Sequence, residues 1–154
     1  MCLIIDADLA AAIFRPSPDE DFRPLLRWLL SHDKTGILVT GGLNRDQLAR
    51  VDAAFRAMAT LSKAGRLHLV ADQAVAAEVR VVRVMRIRSN DEHVIALARV
   101  SRARTLCTGD GDLQKDFKDC RLINDPRGSV YRTAEHEHLL RHTKGCPGRQ
   151  RGLR

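Results

Sequence analysis

Short, wholly apolar runs alternate along this chain with longer stretches in which apolar residues recur at helical spacing. Residues 2–6, built on Leu3-Ile4-Ile5, are too few and too uniformly apolar for an amphipathic helix and predict a buried parallel strand. Gly36 to Thr40 and residues 104–108 repeat that signature, and Leu67 to Val70 predicts a strand at a sheet edge. Leu122-Ile123 and Ser129 to Tyr131, either side of an Asn124 to Gly128 turn, predict late edge strands. Between them, helices are expected at 8–14, which Arg15-Pro16-Ser17-Pro18 stops, and at 19–30. A long helix is expected at 44–63, where Leu48, Val51, Ala54, Phe55, Met58 and Leu61 keep one face apolar. Residues 72–88 alternate Val and Arg, so strand competes with helix there; Asp72 as cap and the alanines behind it favour helix. Ser89 and Glu92 have the spacing of a capping box and open a helix at 91–102, followed by helices at 113–119 and 135–142. Strands alternating with helices predict an α/β fold, a three-layer α/β/α sandwich around a mostly parallel central sheet.

With 154 residues and 44% hydrophobic content the chain suits one domain, residues 1–142, and residues 143–154 have the composition of a basic, disordered tail. Aromatics are only 4%, so Leu, Val, Ile and Ala must fill the core. A formal charge of +7 suits a polyanionic partner, although a basic protein that is merely soluble is the plain alternative. The four cysteines form no Cys-x-x-Cys pair, which argues against a zinc ribbon or a disulfide framework and for reduced thiols in the cytoplasm. No stretch reads as a signal peptide or a membrane span.

The chemistry lies in the acids. Asp6 closes the first strand, Asp91 opens a helix, and Asp110 and Asp112 follow the strand at 104–108. Ligands of open α/β sheets bind beyond the carboxyl ends of strands, so these acids are expected to share one crevice. Carboxylates gathered there repel one another, and a hard cation, Mg²⁺ or Mn²⁺, relieves the repulsion. Taken singly each acid has a duller explanation as a cap or turn residue; their joint placement is what points to a metal site.

The order Asp6, then Asn90-Asp91-Glu92-His93-Val94-Ile95-Ala96-Leu97-Ala98, then Thr108-Gly109-Asp110-Gly111-Asp112-Leu113 resembles the PIN domain family of metal-dependent ribonucleases, over residues 2 to about 142. The resemblance implies a four-acid site for Mg²⁺ or Mn²⁺ in which Asp6, Asp91 and Asp110 are principal ligands and Asp112 assists. It implies single-stranded or structured RNA as substrate, a 5′-phosphate product, and, by analogy with compact VapC-type toxins, an antitoxin protein as partner; it leaves room for a homodimer. The family's Glu after the second strand is missing. Asp46 is the nearest acid and Glu78 a more remote substitute. Asn90 and Thr108 are expected to support the site. Arg86, Arg88, Arg99 and Arg102 are candidates for holding the RNA backbone, against the alternative of a solvated helix face.

Two other readings stay open. Asp6-Ala7-Asp8, Thr40, Lys63 and Gly109-Asp110 also resemble the haloacid dehalogenase-like phosphatases, with Asp6 as nucleophile and Asp8 as acid. A PIN-like domain lacking its Glu could instead bind RNA or protein without cutting. Asp8 itself reads first as a helix cap and secondarily as support for the metal, and His136, His138, His142 and Cys146 read first as surface residues and only secondarily as zinc ligands.

Overall fold

The computed structural model describes residues 2–31 and 36–141. Five strands, β1 (Cys2–Ile5), β2 (Ile37–Gly41), β3 (Leu67–Val70), β4 (Thr105–Cys107) and β5 (Ser129–Tyr131), form one all-parallel sheet in the order β3-β2-β1-β4-β5. Seven α-helices flank it: α1 (Ala10–Phe14), α2 (Arg23–Leu30), α3 (Gly42–Ala49), α4 (Asp52–Lys63), α5 (Asp72–Val84), α6 (Glu92–Ser101) and α7 (Gly111–Lys118). The protein is therefore α/β, with helices on both faces of a parallel sheet, as the alternation of runs predicts.

Because side chains alternate across a strand, each central strand feeds two cores. Cys2, Ile4, Ile37, Val39, Leu106 and Val130 pack with α5, α6 and α7. Leu3, Ile5, Leu38, Cys107 and Tyr131 pack on the other side with α1, α2 and α4. Both sets are buried, which is why β1, β2 and β4 read as continuous apolar runs.

The chain leaves β1 toward β2 and β3, then crosses back to lay β4 on the other side of β1. A reversal of this kind opens a crevice at the carboxyl ends of the two strands, here β1 and β4. Asp6 extends β1 by one ladder step, its N–H donating to the Cys107 carbonyl at 2.9 Å. The strand order thus puts Asp6 beside the segment that carries Asp110.

Several elements depart from the sequence expectations. The helix expected at 44–63 is two, α3 and α4, separated at Val51, whose backbone is extended. The first begins at Gly42, where φ is +56°, a conformation that costs glycine little and lets the chain turn directly from β2 into the helix. Asp72 does not cap α5. Its carboxylate reaches back to α3, accepting from the Gly42 N–H at 3.1 Å and from Arg45 at 3.1 Å. The Ser89–Glu92 capping box does not form: α6 starts after Asp91, and the Ser89 hydroxyl accepts from the Asp91 N–H at 3.3 Å. Leu122-Ile123 is a turn, and the last helix is a 3₁₀ segment, Ala134–Leu139, capped by Thr133 and His136. Cys2 is disulfide-bonded, contrary to the expectation of reduced thiols, whereas Cys107 and Cys120 are free. The tail expected at 143–154, with His142 and Cys146, lies outside the described residues.

Candidate active site

Asp6, Asp8, Asp91 and Asp110 line one open cleft of about 430 Å³ at the carboxyl ends of β1 and β4, with Ala7, Gln47 and Arg50 completing its walls. Each acid arrives on a different local device. Asp6 ends β1 and is buried; its Oδ2 accepts the Thr108 hydroxyl at 2.7 Å. Thr108 is the pivot of the site, because the same oxygen accepts the Asp110 N–H at 3.1 Å and its carbonyl accepts Gln114 Nε2 at 3.0 Å. Asp110 caps α7, with Oδ1 accepting the N–H groups of Asp112 (2.9 Å) and Leu113 (3.2 Å). Its charge is thereby held at the positive end of the helix. Asp91 is the N-cap residue of α6, and Asp8 sits on the 3₁₀ turn that follows β1.

The electrostatics record how close these groups stand. Partial burial and then the neighbouring carboxylates, Asp6 first, push the Asp91 carboxyl up to about 6. The Asp8 carboxyl is likewise pushed up to about 6, by partial burial and then by Asp6, Asp110 and Asp91. Asp8 lies within hydrogen-bonding reach of Asp6, and Asp91 of Asp110, so each couple can share a proton. Below them the Cys107 thiol is pushed up to about 12 by burial and the two acids above it. That thiol stays protonated at neutral pH and is neither nucleophile nor ligand.

All four donors are carboxylate oxygens, the set that hard divalent cations such as Mg²⁺ and Mn²⁺ take. Among the described residues no three acidic, imidazole or thiol groups already stand in ligating geometry. The four acids pair in twos, Asp8 with Asp6 and Asp91 with Asp110, and Asp8 and Asp91 are free of the cap bonds that fix Asp110. The donor chemistry thus fits such an ion, with Asp8 and Asp91 as the groups that would close on it.

The remaining expected site residues fall elsewhere. Asp112 is exposed beyond the cap, joined to the site only through its N–H. Asp46 is exposed and 3.5 Å from Arg45, and Glu78 accepts from Arg99 Nε at 2.6 Å. Neither replaces the absent Glu at the cleft. Asp46 stands one turn before Arg50 on α3 but is drawn to Arg45 and lines no part of the cleft. Gln47 and Arg50 are the residues that α3 presents to the acids.

Arg99 and Arg102 do not serve the cleft. Arg99 is clamped by Glu78 and the Leu122 carbonyl (2.6 Å), and Arg102 donates to the Asp125 carbonyl at 3.1 Å. Both ride the far end of α6, roughly 12–16 Å along the axis from Asp91 at about 1.5 Å per residue. Arg86 and Arg88 are exposed near the start of the Asp91 loop without lining the cleft. Asn90 lies outside the acidic cleft, on an adjoining groove.

Two residues have no signal in the sequence. Asn44 is buried and ties α3 to the end of β1, accepting the Thr40 hydroxyl at 2.6 Å and donating to the Ile5 carbonyl at 2.9 Å. Asp116, also buried, accepts the N–H groups of Arg88 (3.0 Å) and Ser89 (2.9 Å) and so fixes the loop that presents Asp91. Asp8, a carboxylate two residues after a strand-ending acid, lines the cleft instead of capping a helix, in line with the lesser of its two expected roles.

The raised acids make a stability prediction. For Asp8 and Asp91 the folded pKa lies above the ordinary value near 3.8, so their favourable contribution is complete below about pH 4 and is lost as pH rises through about 6. Asp91→Asn removes one of the repelling charges. In metal-free buffer it is expected to raise Tm above wild type by a few degrees near neutral pH and to match wild type near pH 4, on the scale of roughly 2–4 °C per kcal/mol for a chain this long. Equal melting temperatures at both pH values would show that the carboxylates do not strain the folded state.

The chain matches no family model and no curated protein, so what the cleft does is argued from its own geometry.

Proposed function

We propose that the protein is a PIN-like, Mg²⁺- or Mn²⁺-dependent endoribonuclease that hydrolyses phosphodiester bonds of RNA. One observation carries the reading: the aspartates Asp6, Asp8, Asp91 and Asp110 converge on a single cleft at the strand-order reversal, and two of them are raised by burial there and then by one another's charge. Capping needs alone would scatter them. The ion would supply Lewis acidity, acidifying a water and offsetting the charge that grows on the phosphate.

The chain's own residues do the rest. Thr108 and the α7 N–H groups hold Asp6 and Asp110 in fixed orientations, so two of the donors need no reordering. Asp8 and Asp91 hold protons more readily than ordinary carboxylates and give them up as a cation enters, which couples metal binding to proton release. Arg50 and Gln47, on the opposite wall, offer N–H donors to phosphate oxygens. The surplus of basic residues over the whole chain attracts the polyanion toward an otherwise acidic cleft.

The phosphatase reading loses support because Lys63 ends α4 and precedes β3, which places it at the amino-terminal edge of the sheet, opposite Asp6. Thr40 is committed to Asn44. A toxin role with an antitoxin partner is the resemblance's finer implication. Growth arrest on expression of the wild type, relieved by Asp6→Asn, is the result it requires. As for membranes, no helix among the described residues is long and apolar enough to cross one.

The direct test incubates the purified protein with single-stranded RNA and Mn²⁺ or Mg²⁺. Internal cleavage leaving 5′-phosphates, abolished by EDTA, is expected. Absence of cleavage with either cation, together with no cation-induced rise in Tm, would leave only a non-catalytic binding role.

A further inference from the structure

Beside the acidic cleft, α5, the start of α6 and Leu43 of α3 enclose a second groove of about 400 Å³. Its size falls in the range of roughly 300–1,000 Å³ usual for small-ligand sites. Its floor is apolar, made by Leu43, Val75 and Val79, and Leu43 is 46% exposed although it is a large aliphatic residue. Arg80 and Arg83 stand at its rim, and among the described residues neither makes an ion pair. Asn90, Glu92 and the ring of His93 close the end nearest the acids. His93 Nε2 is buried with no hydrogen-bond partner, a state that ordinarily costs a side chain about 1–3 kcal/mol unless a ligand or water relieves it.

The two cavities share one short piece of backbone. Asp91 faces the cleft while Asn90, Glu92 and His93, its immediate neighbours, face the groove. A ligand held by phosphate at Asp91 therefore has its next few atoms directed over the groove. An apolar floor with an imidazole wall suits a flat aromatic ring, unpaired guanidinium groups suit a backbone phosphate, and Asn90 and Glu92 offer donor and acceptor atoms to a ring edge.

We propose that this groove is a nucleobase subsite: it takes one unstacked base of single-stranded RNA next to the phosphate seated in the acidic cleft. The proposal rests on the nuclease reading for the identity of that phosphate and adds where the base beside it sits. A base paired in a duplex cannot lay its face on Val79 and His93, so duplex RNA is excluded by shape rather than by charge.

Ala76 lines the groove, is exposed, and belongs to neither the cleft nor the core, so Ala76→Trp fills the groove without touching the fold. Binding is read by fluorescence anisotropy with Ca²⁺ in place of Mn²⁺, on a short single-stranded RNA and on a base-free ribose-phosphate chain of equal length. Wild type is expected to prefer RNA by about tenfold or more, the scale of one base stacked on a side chain. Ala76→Trp is expected to abolish that preference and leave affinity for the base-free chain unchanged. Mn²⁺-dependent cleavage of the base-free ribose-phosphate chain, which has no ring to place in the groove, is expected to be the same in both proteins. Equal affinity of wild type for the two chains, no binding of either, or an unaltered preference in Ala76→Trp would each overturn the proposal. If the groove fails while the base-free chain is still cleaved, the nuclease reading survives. If base-dependent binding persists without any hydrolysis, the groove stands and the nuclease reading falls.

Discussion

Asp6→Asn is expected to lower metal-dependent RNA cleavage by about 10³-fold or more while leaving the fold intact. Asn has the shape of Asp, its carbonyl oxygen can still accept the Thr108 hydroxyl, and the ladder bond from residue 6 to Cys107 uses only backbone. What disappears is one negative charge at the only acid that is both buried and adjacent to the other three. Metal-assisted stabilisation of a reacting phosphate is worth several kcal/mol, and each 1.36 kcal/mol is a factor of ten, which sets the size of the loss. The substitution also removes the charge that most strongly raises Asp8 and Asp91 after burial. In metal-free buffer near neutral pH the variant is therefore expected to melt no lower than wild type. Activity and stability then move in opposite directions, as they do where function requires a strained site. Cleavage at the wild-type rate in Mn²⁺ by a well-folded Asp6→Asn protein would remove Asp6 from the chemistry and the proposed site with it.

What could be foreseen from the chain follows a physical divide. Asp6, Asp91 and Asp110 were legible because a carboxylate directly after a buried apolar run, or directly before a helical one, is a local pattern that strand order converts into proximity. The same locality misled elsewhere. Arg99 and Arg102 follow Asp91 within eleven residues, but a helix intervenes, so nearness in sequence becomes distance in space. The periodic face of 44–63 continues across Val51, where the chain nonetheless bends, because apolar spacing registers burial and not backbone direction. Asp72 reads as a cap from its neighbours, whereas its partner, Gly42, lies 30 positions away. Asn44 and Asp116 escaped for a related reason: each serves a main-chain atom of a remote segment, and a backbone N–H or C=O has no residue-specific signature in sequence.

Asp116 shows what such a hidden residue controls. It is 1% exposed, and its two oxygens accept the N–H groups of Arg88 and Ser89, pinning to α7 the loop that ends at Asp91. Hydrogen bonds to a charged acceptor contribute about 1.5–3 kcal/mol each, and truncation leaves the donors without partners, so Asp116→Ala is expected to cost roughly 3 kcal/mol. On the scale of 2–4 °C per kcal/mol that is a fall in Tm of about 6–12 °C. Asp116→Asn is expected to fare little better, because one of its two terminal atoms becomes a donor facing a donor. Arg88 supplies the control: its guanidinium lies 4.0 Å from Asp116 and is mostly exposed, so Arg88→Ala is expected to change stability by less than about 0.5 kcal/mol. The loop also carries Asp91, a ligand under the proposed function, so losing its anchor is expected to weaken Mn²⁺ affinity by about 10- to 100-fold, the usual effect of removing a group that orients a metal-binding side chain. Calorimetric titration separates these effects, because a loss of affinity measured well below the variant's melting transition reports the displaced Asp91 and not global unfolding. If Asp116→Ala melts lower yet binds Mn²⁺ as tightly as wild type, Asp116 stabilises the fold without positioning the site, and Asp91 must owe its orientation to α6 alone.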